Sequence, residues 1–356
     1  MELPVKEERN ASLDLLRIIA IFMIMSAHFL GWGGAVNKLT ANNVNYFIIM
    51  PIYFFCQIGN TLFFLLAGFF AKKPKMGKAL FIQRKTWFYS FFITLIIFIV
   101  GVNPDVGIGY TIKSFFPVIF NRYWFVSVYL VLYVLSFLLI PGLDSLSKPQ
   151  FLLIIAALLI NNTCIMYASY TLMEGLLAYV IGYYLKKFKP YENCKKIWIL
   201  LAYGVAMAAY VAERFLARKL GIEHSLLDEG LRYVFLLCSA IALFMFFAKI
   251  HIRGKWISSI AGNILAVYLI TANPALVSIL YTKWLHVEAF CEAWWFVGYY
   301  LAVNLAIFAL CVSIDKLVTI VNTKEVAFIE RIGQKIRNKK KQNEIEEQAE
   351  ENAVEK

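Results

Sequence analysis

Three residues near the start of the chain carry side chains that can do acid–base chemistry, and they share one helical face. Asp14, Arg17 and His28 lie in or beside an apolar run. Eleven helical steps separate Arg17 from His28, about 20° more than three full turns, so both point to one side about 16 Å apart. Asp14 precedes Arg17 by three residues on nearly the same stripe. One helix therefore presents a carboxylate, a guanidinium and an imidazole in line.

The imidazole of His28 is the group best suited to group transfer near neutral pH. It can take a proton from a hydroxyl as a general base, or accept an acyl group as a nucleophile. A charge in hydrocarbon is costly unless it is paired or hydrated, so we expect Arg17 and His28 to line one polar cavity with Asp14 near its cytoplasmic mouth. The alternatives are an Asp14–Arg17 ion pair that anchors the helix start and a structural role for His28.

Glu174 is a further ionisable residue inside an apolar run. It could pair with Arg17 or His28 or act as a second acid/base group, and the alternative is a polar packing group of the bundle. The six cysteines are scattered without a CxxC pair or metal-ligand spacing. The sequence therefore predicts neither a metal site nor a disulfide framework.

Membrane-spanning helices are the elements that must position these residues. Hydrophobic residues make up 61% of the 356-residue chain and charged residues 16%, against about 45–50% and about 25% in soluble domains. The apolar residues form blocks of about twenty, the length that crosses about 30 Å of hydrocarbon as a helix. Because these blocks are apolar on every face, they favour helices over barrel strands. We predict an all-α polytopic membrane bundle.

About ten transmembrane helices are predicted, and the distribution of positive charge orients them. With both termini in the cytoplasm, 26 of the 35 Lys and Arg residues fall on that side and 8 outside, which satisfies the positive-inside rule. This topology also explains the net charge of +12 without nucleic acid as a partner. The predicted spans are 13–33, 46–70, 80–101, 124–141, 151–167, 171–187, 197–213, 231–247, 257–280 and 293–313.

The chain divides into a predicted transmembrane domain, 1–323, and a cytoplasmic tail, 324–356, that is basic and then acidic. Within 324–336, apolar residues fall near one helical face with basic residues close by. Such a segment is typical of helices that lie on anionic membrane lipids.

The motif in the first span resembles that of the integral membrane acyltransferase 3 family of bacterial O-acyltransferases. Arg9, Asp14, Arg17 and His28 follow the family's pattern of Arg, four residues, Asp, two residues, Arg, ten residues and His. Thr271 differs, because it stands where the family frequently has His. Weaker similarities occur in Gly59-Asn-Thr-Leu-Phe-Phe-Leu-Leu-Ala-Gly68-Phe, in the Arg84-Lys85 pair, in Trp124-Phe-Val-Ser-Val-Tyr129-Leu and in Tyr268-Leu-Ile-Thr-Ala-Asn-Pro274.

The resemblance implies a ten-span acyltransferase in a bacterial plasma membrane, with acyl-CoA, most simply acetyl-CoA, as donor. The donor phosphates would bind Arg17, Arg84 and Lys85, although the positive-inside rule alone also explains the last two. The catalytic candidates are His28, Arg17, Asp14 and Glu174.

The acceptor implied by the resemblance is a hydroxyl of a cell-surface carbohydrate or a lipid-linked saccharide. Trp124 and Tyr129 are candidates to stack on a sugar ring, and the alternative is an interfacial aromatic belt. A different class of function, a transporter or exporter of polysaccharide or lipid-linked precursors, also places polar groups inside helices. Against an exporter, the sequence has no inverted repeat.

Overall fold

The computed structural model describes residues 11–165, 170–221 and 226–320, and within these ranges the regular elements are helices and none is a strand. The all-α prediction is therefore confirmed for the described chain. The helices are α1 (Ala11–Trp32), α2 (Ala35–Lys38), α3 (Val44–Cys56), α4 (Gly59–Phe69), α5 (Met76–Val100), α6 (Ile108–Phe115), α7 (Trp124–Ser145), α8 (Lys148–Ile160), α9 (Tyr170–Phe188), α10 (Lys196–Leu220), α11 (Leu226–Lys249), α12 (Lys255–Ala261), α13 (Ile264–Thr271), α14 (Pro274–Ser278), α15 (Val287–Phe290) and α16 (Phe296–Ile320).

Six helical segments of the described chain are long and apolar enough to cross a membrane. They are α1, α3 with α4, α7, α10, the Glu229–Lys249 part of α11, and α16. A bent pair, Lys255–Thr271 with Pro274–Phe290, would make a seventh span. The helices α5, α8 and α9 overlap further runs predicted as spans. The count of ten, like the orientation of the termini, stays a prediction.

The bend between α13 and α14 has a local cause. Pro274 cannot continue the preceding helix and occupies the first turn of α14. The side chain of Asn273 caps that turn by accepting from the backbone N–H of Ala275, and its Nδ2 donates to the Tyr123 hydroxyl at 2.9 Å. Tyr123 in turn donates to the carbonyl oxygen of Leu269. These bonds hold the end of α13, which carries Tyr268, against the start of α7.

Two glycines let α4 and α9 pack backbone against backbone. A Cβ on Gly68 would lie 1.9 Å from the carbonyl oxygen of Tyr179, and one on Gly182 would lie 2.1 Å from that of Leu65. Small residues at a helix crossing allow this approach in membrane proteins. The crossing places Tyr179 of α9 beside α4 and sets the position of Glu174, more than one helical turn earlier.

The chain divides into two compact units, Met1–Phe308 and Ala309–Lys356. The first unit contains α1 to α15, the beginning of α16 and every residue predicted for the site. In the second unit, residues 309–320 form the last part of α16. The predicted tail, 324–356, and Arg9 of the sequence motif lie outside the described residues.

Candidate active site

The beginning of α1 is tied to the segment that follows α11. The Ser12 hydroxyl donates to the carbonyl oxygen of Ile250 at 2.7 Å and accepts from the backbone N–H of Ile252 at 2.8 Å. The first turns of α1 also contain the predicted acidic and basic residues, Asp14 and Arg17. The Asp14 carboxylate, 1% exposed, accepts from Arg17 Nη1 at 2.5 Å and from the Ser258 hydroxyl at 2.7 Å. The ion pair considered as an alternative is thus present.

Arg17 also forms part of a cavity wall. Its side chain is 24% exposed, and its guanidinium carbon lies 4.5 Å from the centre of the Phe70 ring. The cavity, of about 530 Å³, lies among α1, α4, α7 and α13, with walls that are mainly aliphatic and aromatic. Four lysines in and after the α4–α5 connection line it together with Arg17; we call it the lysine-rimmed cavity, and these residues are Lys72, Lys73, Lys75 and Lys78.

The basic rim is held in place by neighbouring helices. The backbone N–H of Lys75 donates to the Tyr133 hydroxyl of α7 at 2.8 Å. Lys186, near the end of α9, donates to the carbonyl oxygen of Ala71 at 2.7 Å. The Lys78 ammonium lies 5.2 Å from the centre of the Tyr133 ring. These contacts hold the segment that carries the rim lysines against α7 and α9.

His28 lines a second cavity, of about 320 Å³, which we call the histidine cavity. Its ring stacks on Trp32, with ring centres 3.8 Å apart and planes 13° apart. Its Nδ1 is buried and has no hydrogen-bond partner within the described part of the chain. The other walls include Ile24 of α1 and Asn60 of α4. Stacking fixes the plane of the imidazole while leaving its edge available for chemistry.

A third cavity, of about 470 Å³, adjoins the histidine cavity and is lined by both acidic and basic residues. Val36, Tyr53, Gln57 and Asn60 line both cavities. We call it the glutamate cavity because Glu174 lies in its wall. The remaining polar or charged residues of its wall are Tyr46, Thr61, Trp124, Asn162, Thr163, Tyr210, Arg214, Arg218, Glu229, Arg232 and Tyr233.

The polar groups of the glutamate cavity are only partly matched with one another. Arg214 pairs with Glu213 at 2.8 Å, and Arg232 contacts Glu229. By contrast, Asn60 Oδ1, Asn162 Oδ1 and the Tyr233 hydroxyl are buried without a partner among the described residues. Buried polar atoms of this kind are normally satisfied by water or a ligand. The cavity is therefore suited to a ligand rich in hydrogen-bonding groups.

The prediction that Arg17 and His28 line one cavity is wrong. Arg17 lines the lysine-rimmed cavity and His28 lines the histidine cavity. Their shared face of α1 is as predicted, but Ile24 lies between them on that face and lines both cavities. Tyr268 of α13 lines the lysine-rimmed cavity and packs near the His28 ring, with ring centres 6.4 Å apart. Asp14 lies behind Arg17 and is not part of either wall.

The structure also distributes the predicted ligand-binding residues. Trp124 lines the glutamate cavity, whereas Tyr129 lines the lysine-rimmed cavity. Arg84 is exposed on α5, and neither it nor Lys85 lines any of the three cavities. Thr271 is buried and donates to the carbonyl oxygen of Val267 within its own helix. A catalytic or binding role for Arg84 and Lys85 stays a prediction.

Glu174 lines the same cavity as Arg232 of α11 and is close enough to interact with it electrostatically. Arg17 lines a different cavity. Sequence reasoning missed Arg232, Asn60 and the four rim lysines as site residues. The lysines were used only to orient the spans. Asn60 lies between Gly59 and Gly68, in the segment that forms α4. Its polar side chain beside an apolar run is the feature from which a role in the site could have been predicted.

Helices of this length and apolar character, enclosing charged and polar cavities, define a multi-pass helical membrane protein. Residues 10–316 match the acyltransferase domain that characterises the acyltransferase 3 family. Because the match covers most of the 356 residues, the chain belongs to this family and is an acyltransferase. No curated protein and no solved structure matches the chain.

Proposed function

We propose that this protein is a plasma-membrane O-acyltransferase that moves an acyl group, most simply acetyl, from acyl-CoA to a hydroxyl of a cell-surface glycan or lipid-linked saccharide. One observation carries the proposal. The histidine cavity, which contains the imidazole, shares Ile24 with the basic-rimmed apolar cavity and four wall residues with the polar, charged cavity. This arrangement matches the two substrates of an acyl transfer, a phosphate-bearing thioester and a polyhydroxylated acceptor.

The lysine-rimmed cavity fits the chemistry of acyl-CoA. Arg17 and the rim lysines supply cations for the phosphates of the nucleotide end. The aliphatic and aromatic walls suit the less polar arm that carries the thioester. In the predicted topology this rim faces the cytoplasm, where acyl-CoA is made. Tyr129 then belongs to the donor side, and Trp124 to the acceptor side.

The glutamate cavity fits a hydroxyl-rich acceptor. Carboxylate, amide and phenol groups can accept from and donate to sugar hydroxyls, and Trp124 offers an aromatic face for a ring. Asn60 lines both this cavity and the histidine cavity. An acceptor held here would bring a hydroxyl toward His28.

His28 would then perform the transfer by one of two routes. As a base it takes the proton of the acceptor hydroxyl while the oxygen attacks the thioester carbonyl, the C–S bond breaks, and the proton passes to the departing thiolate. As a nucleophile it first accepts the acyl group, releasing CoA thiol, and then gives it to the hydroxyl. Both routes require the imidazole.

Replacing His28 tests the proposal. His28→Ala removes a ring that stacks on a partly exposed Trp32, so we expect the protein to remain folded in the membrane. Loss of the base or nucleophile should lower acyl transfer by about 10²- to 10⁴-fold. Mass spectrometry of cell-surface glycans, with membrane protein level measured on the same cells, gives both readouts.

The matched control is His251→Ala, because His251 is exposed and lines none of the three cavities. It should leave the glycan unchanged from wild type. Normal acylation in His28→Ala would refute the mechanism, and loss of the protein from the membrane would support a structural role for His28. Unmodified glycan retained inside cells that lack the gene would favour an exporter.

A further inference from the structure

The donor and histidine cavities are separated by very few side chains. Among the described residues Ile24 is common to the walls of the lysine-rimmed and histidine cavities. It is 4% exposed and lies on the helical face that runs from Arg17 to His28. Ile24 is therefore a wall between the donor cavity and the cavity of the imidazole.

Ile24 is held tightly on the side of α4. A Cβ on Gly59 would lie 2.8 Å from Ile24 Cγ1, so the isoleucine side chain packs directly on the glycine backbone at the start of α4. As a β-branched residue in a helix, isoleucine has one strongly preferred χ1 rotamer. Ile24 is thus held in one orientation in this structure.

Tyr268 completes the separation on the side of α13. It is 5% exposed, and its ring packs against Phe125, with ring centres 5.6 Å apart, and against Tyr123, with ring centres 5.9 Å apart. The same ring lies 6.4 Å from that of His28. Tyr268 is therefore anchored to α7 while it faces both the donor cavity and the imidazole.

We propose that Ile24 and Tyr268 form a barrier that keeps the donor thioester away from the water around His28 until an acceptor is present. The proposal rests on the proposed function, since it assigns acyl-CoA to the lysine-rimmed cavity. The histidine and glutamate cavities are polar and adjoin each other, so they are expected to hold water when no sugar is bound. Ile24, in the wall that the two cavities share, would then determine whether the acyl group is transferred to the acceptor or lost to water.

Removing the barrier should create a thioesterase side reaction. A water molecule would attack the thioester carbonyl, His28 would take its proton, the C–S bond would break, and the proton would pass to the CoA thiolate. The products are a free carboxylic acid and CoA thiol. Acyl-CoA and water are the only reactants required.

The test is release of CoA thiol from acetyl-CoA by the purified full-length protein without acceptor. Ile24→Ala should raise the rate at least about tenfold over wild type, and Ile24→Val, which removes one methylene, should give a smaller rise. The gain should vanish in the double variant Ile24→Ala/His28→Ala, because the imidazole activates the water. Leu30→Ala is the matched control: Leu30 is equally buried on α1 but lines none of the three cavities, so its rate should equal that of wild type.

Transfer of the acyl group to acceptor glycan in membranes, measured in parallel, distinguishes failure of the barrier from failure of the proposed function. Wild-type transfer from acetyl-CoA, with no extra hydrolysis in Ile24→Ala or Ile24→Val, would overturn the barrier and leave the proposed function standing. Equal hydrolysis in Leu30→Ala would also overturn it, since loosened packing would then be the cause. Absence of transfer from any acyl-CoA in wild type would refute the proposed function, and the barrier with it.

Discussion

Arg17 both pairs with a buried carboxylate and lines a cavity. Nη1 holds the buried Asp14 carboxylate, and the side chain still lines the lysine-rimmed cavity over the Phe70 ring. Removing the side chain altogether would take a cationic partner from a buried carboxylate, which is costly for folding. A variant that keeps the charge is therefore more informative than alanine.

Arg17→Lys should weaken donor binding while preserving the fold. An ammonium can still pair with Asp14, but it lacks the planar fork that binds phosphate in a bidentate way. We expect the KM for acetyl-CoA to rise about tenfold, equivalent to about 1.4 kcal/mol, with little change in kcat or melting temperature. Steady-state kinetics of the purified protein measure both constants.

Arg84→Lys is the comparison, because Arg84 is exposed on α5 outside the three cavities. It should leave the KM for acetyl-CoA unaltered. If KM rises in Arg84→Lys but not in Arg17→Lys, the donor binds along α5 and not in the lysine-rimmed cavity.

At the scale of helices, the α4–α9 crossing decides where the site residues stand. Gly68 and Gly182 bring the two backbones together, and the Ser136 and Tyr179 hydroxyls then bond at 2.7 Å across α7 and α9. Tyr179 lines the lysine-rimmed cavity and Glu174 lines the glutamate cavity. A shift of α9 would therefore disturb both sides of the site at once.

Gly68→Ala should destabilise the protein and lower its activity together. The new methyl group would overlap a backbone carbonyl at 1.9 Å, which cannot rotate away as a side chain could. Overpacking of this kind costs about 1–3 kcal/mol. Thermal unfolding in detergent should show a lower melting temperature than wild type.

Gly204→Ala provides the control for helix propensity. Gly204 lies in α10, and a Cβ there meets nothing within 4 Å. Because alanine favours helix over glycine by up to about 1 kcal/mol, this variant should melt at or above the wild-type temperature. If Gly68→Ala and Gly204→Ala melt alike, the close crossing is not what holds α4 to α9.

For the whole molecule, the orientation determines which cavity meets the cytoplasm. The predicted topology puts the α4–α5 connection and the α9–α10 connection inside, and the loop between α5 and α7 outside. Cys194, exposed in the α9–α10 connection, is a native probe of the inner side. Gly109, exposed in α6 with open space around it, is a position for an engineered probe of the outer side.

Thiol labelling of intact cells should distinguish the two sides. With the other cysteines replaced, Cys194 should react with a membrane-impermeant maleimide only after permeabilisation, because the membrane shields it. A Gly109→Cys variant without native cysteines should react in intact cells. The opposite pattern would invert the topology and turn the lysine-rimmed cavity away from cytoplasmic acyl-CoA.

Features that depend on local geometry were determined by the sequence alone. Helix periodicity sets the angle between residues of one helix, so the shared face of Asp14, Arg17 and His28 followed from their spacing. The length and apolar character of the runs predicted the helices. The motif from Arg9 to His28 indicated the acyltransferase family that the match over residues 10–316 establishes.

Contacts between distant parts of the chain were decided only by the tertiary structure. Ile24 and His28 lie four residues apart on one helix, but the contacts of Ile24 with Gly59 of α4 and of His28 with Tyr268 of α13 arise only in the folded chain. Glu174 likewise faces Arg232 because α9 and α11 are brought to one cavity. The periodicity of one helix shows which residues share a face, but which helix packs on that face depends on long-range packing.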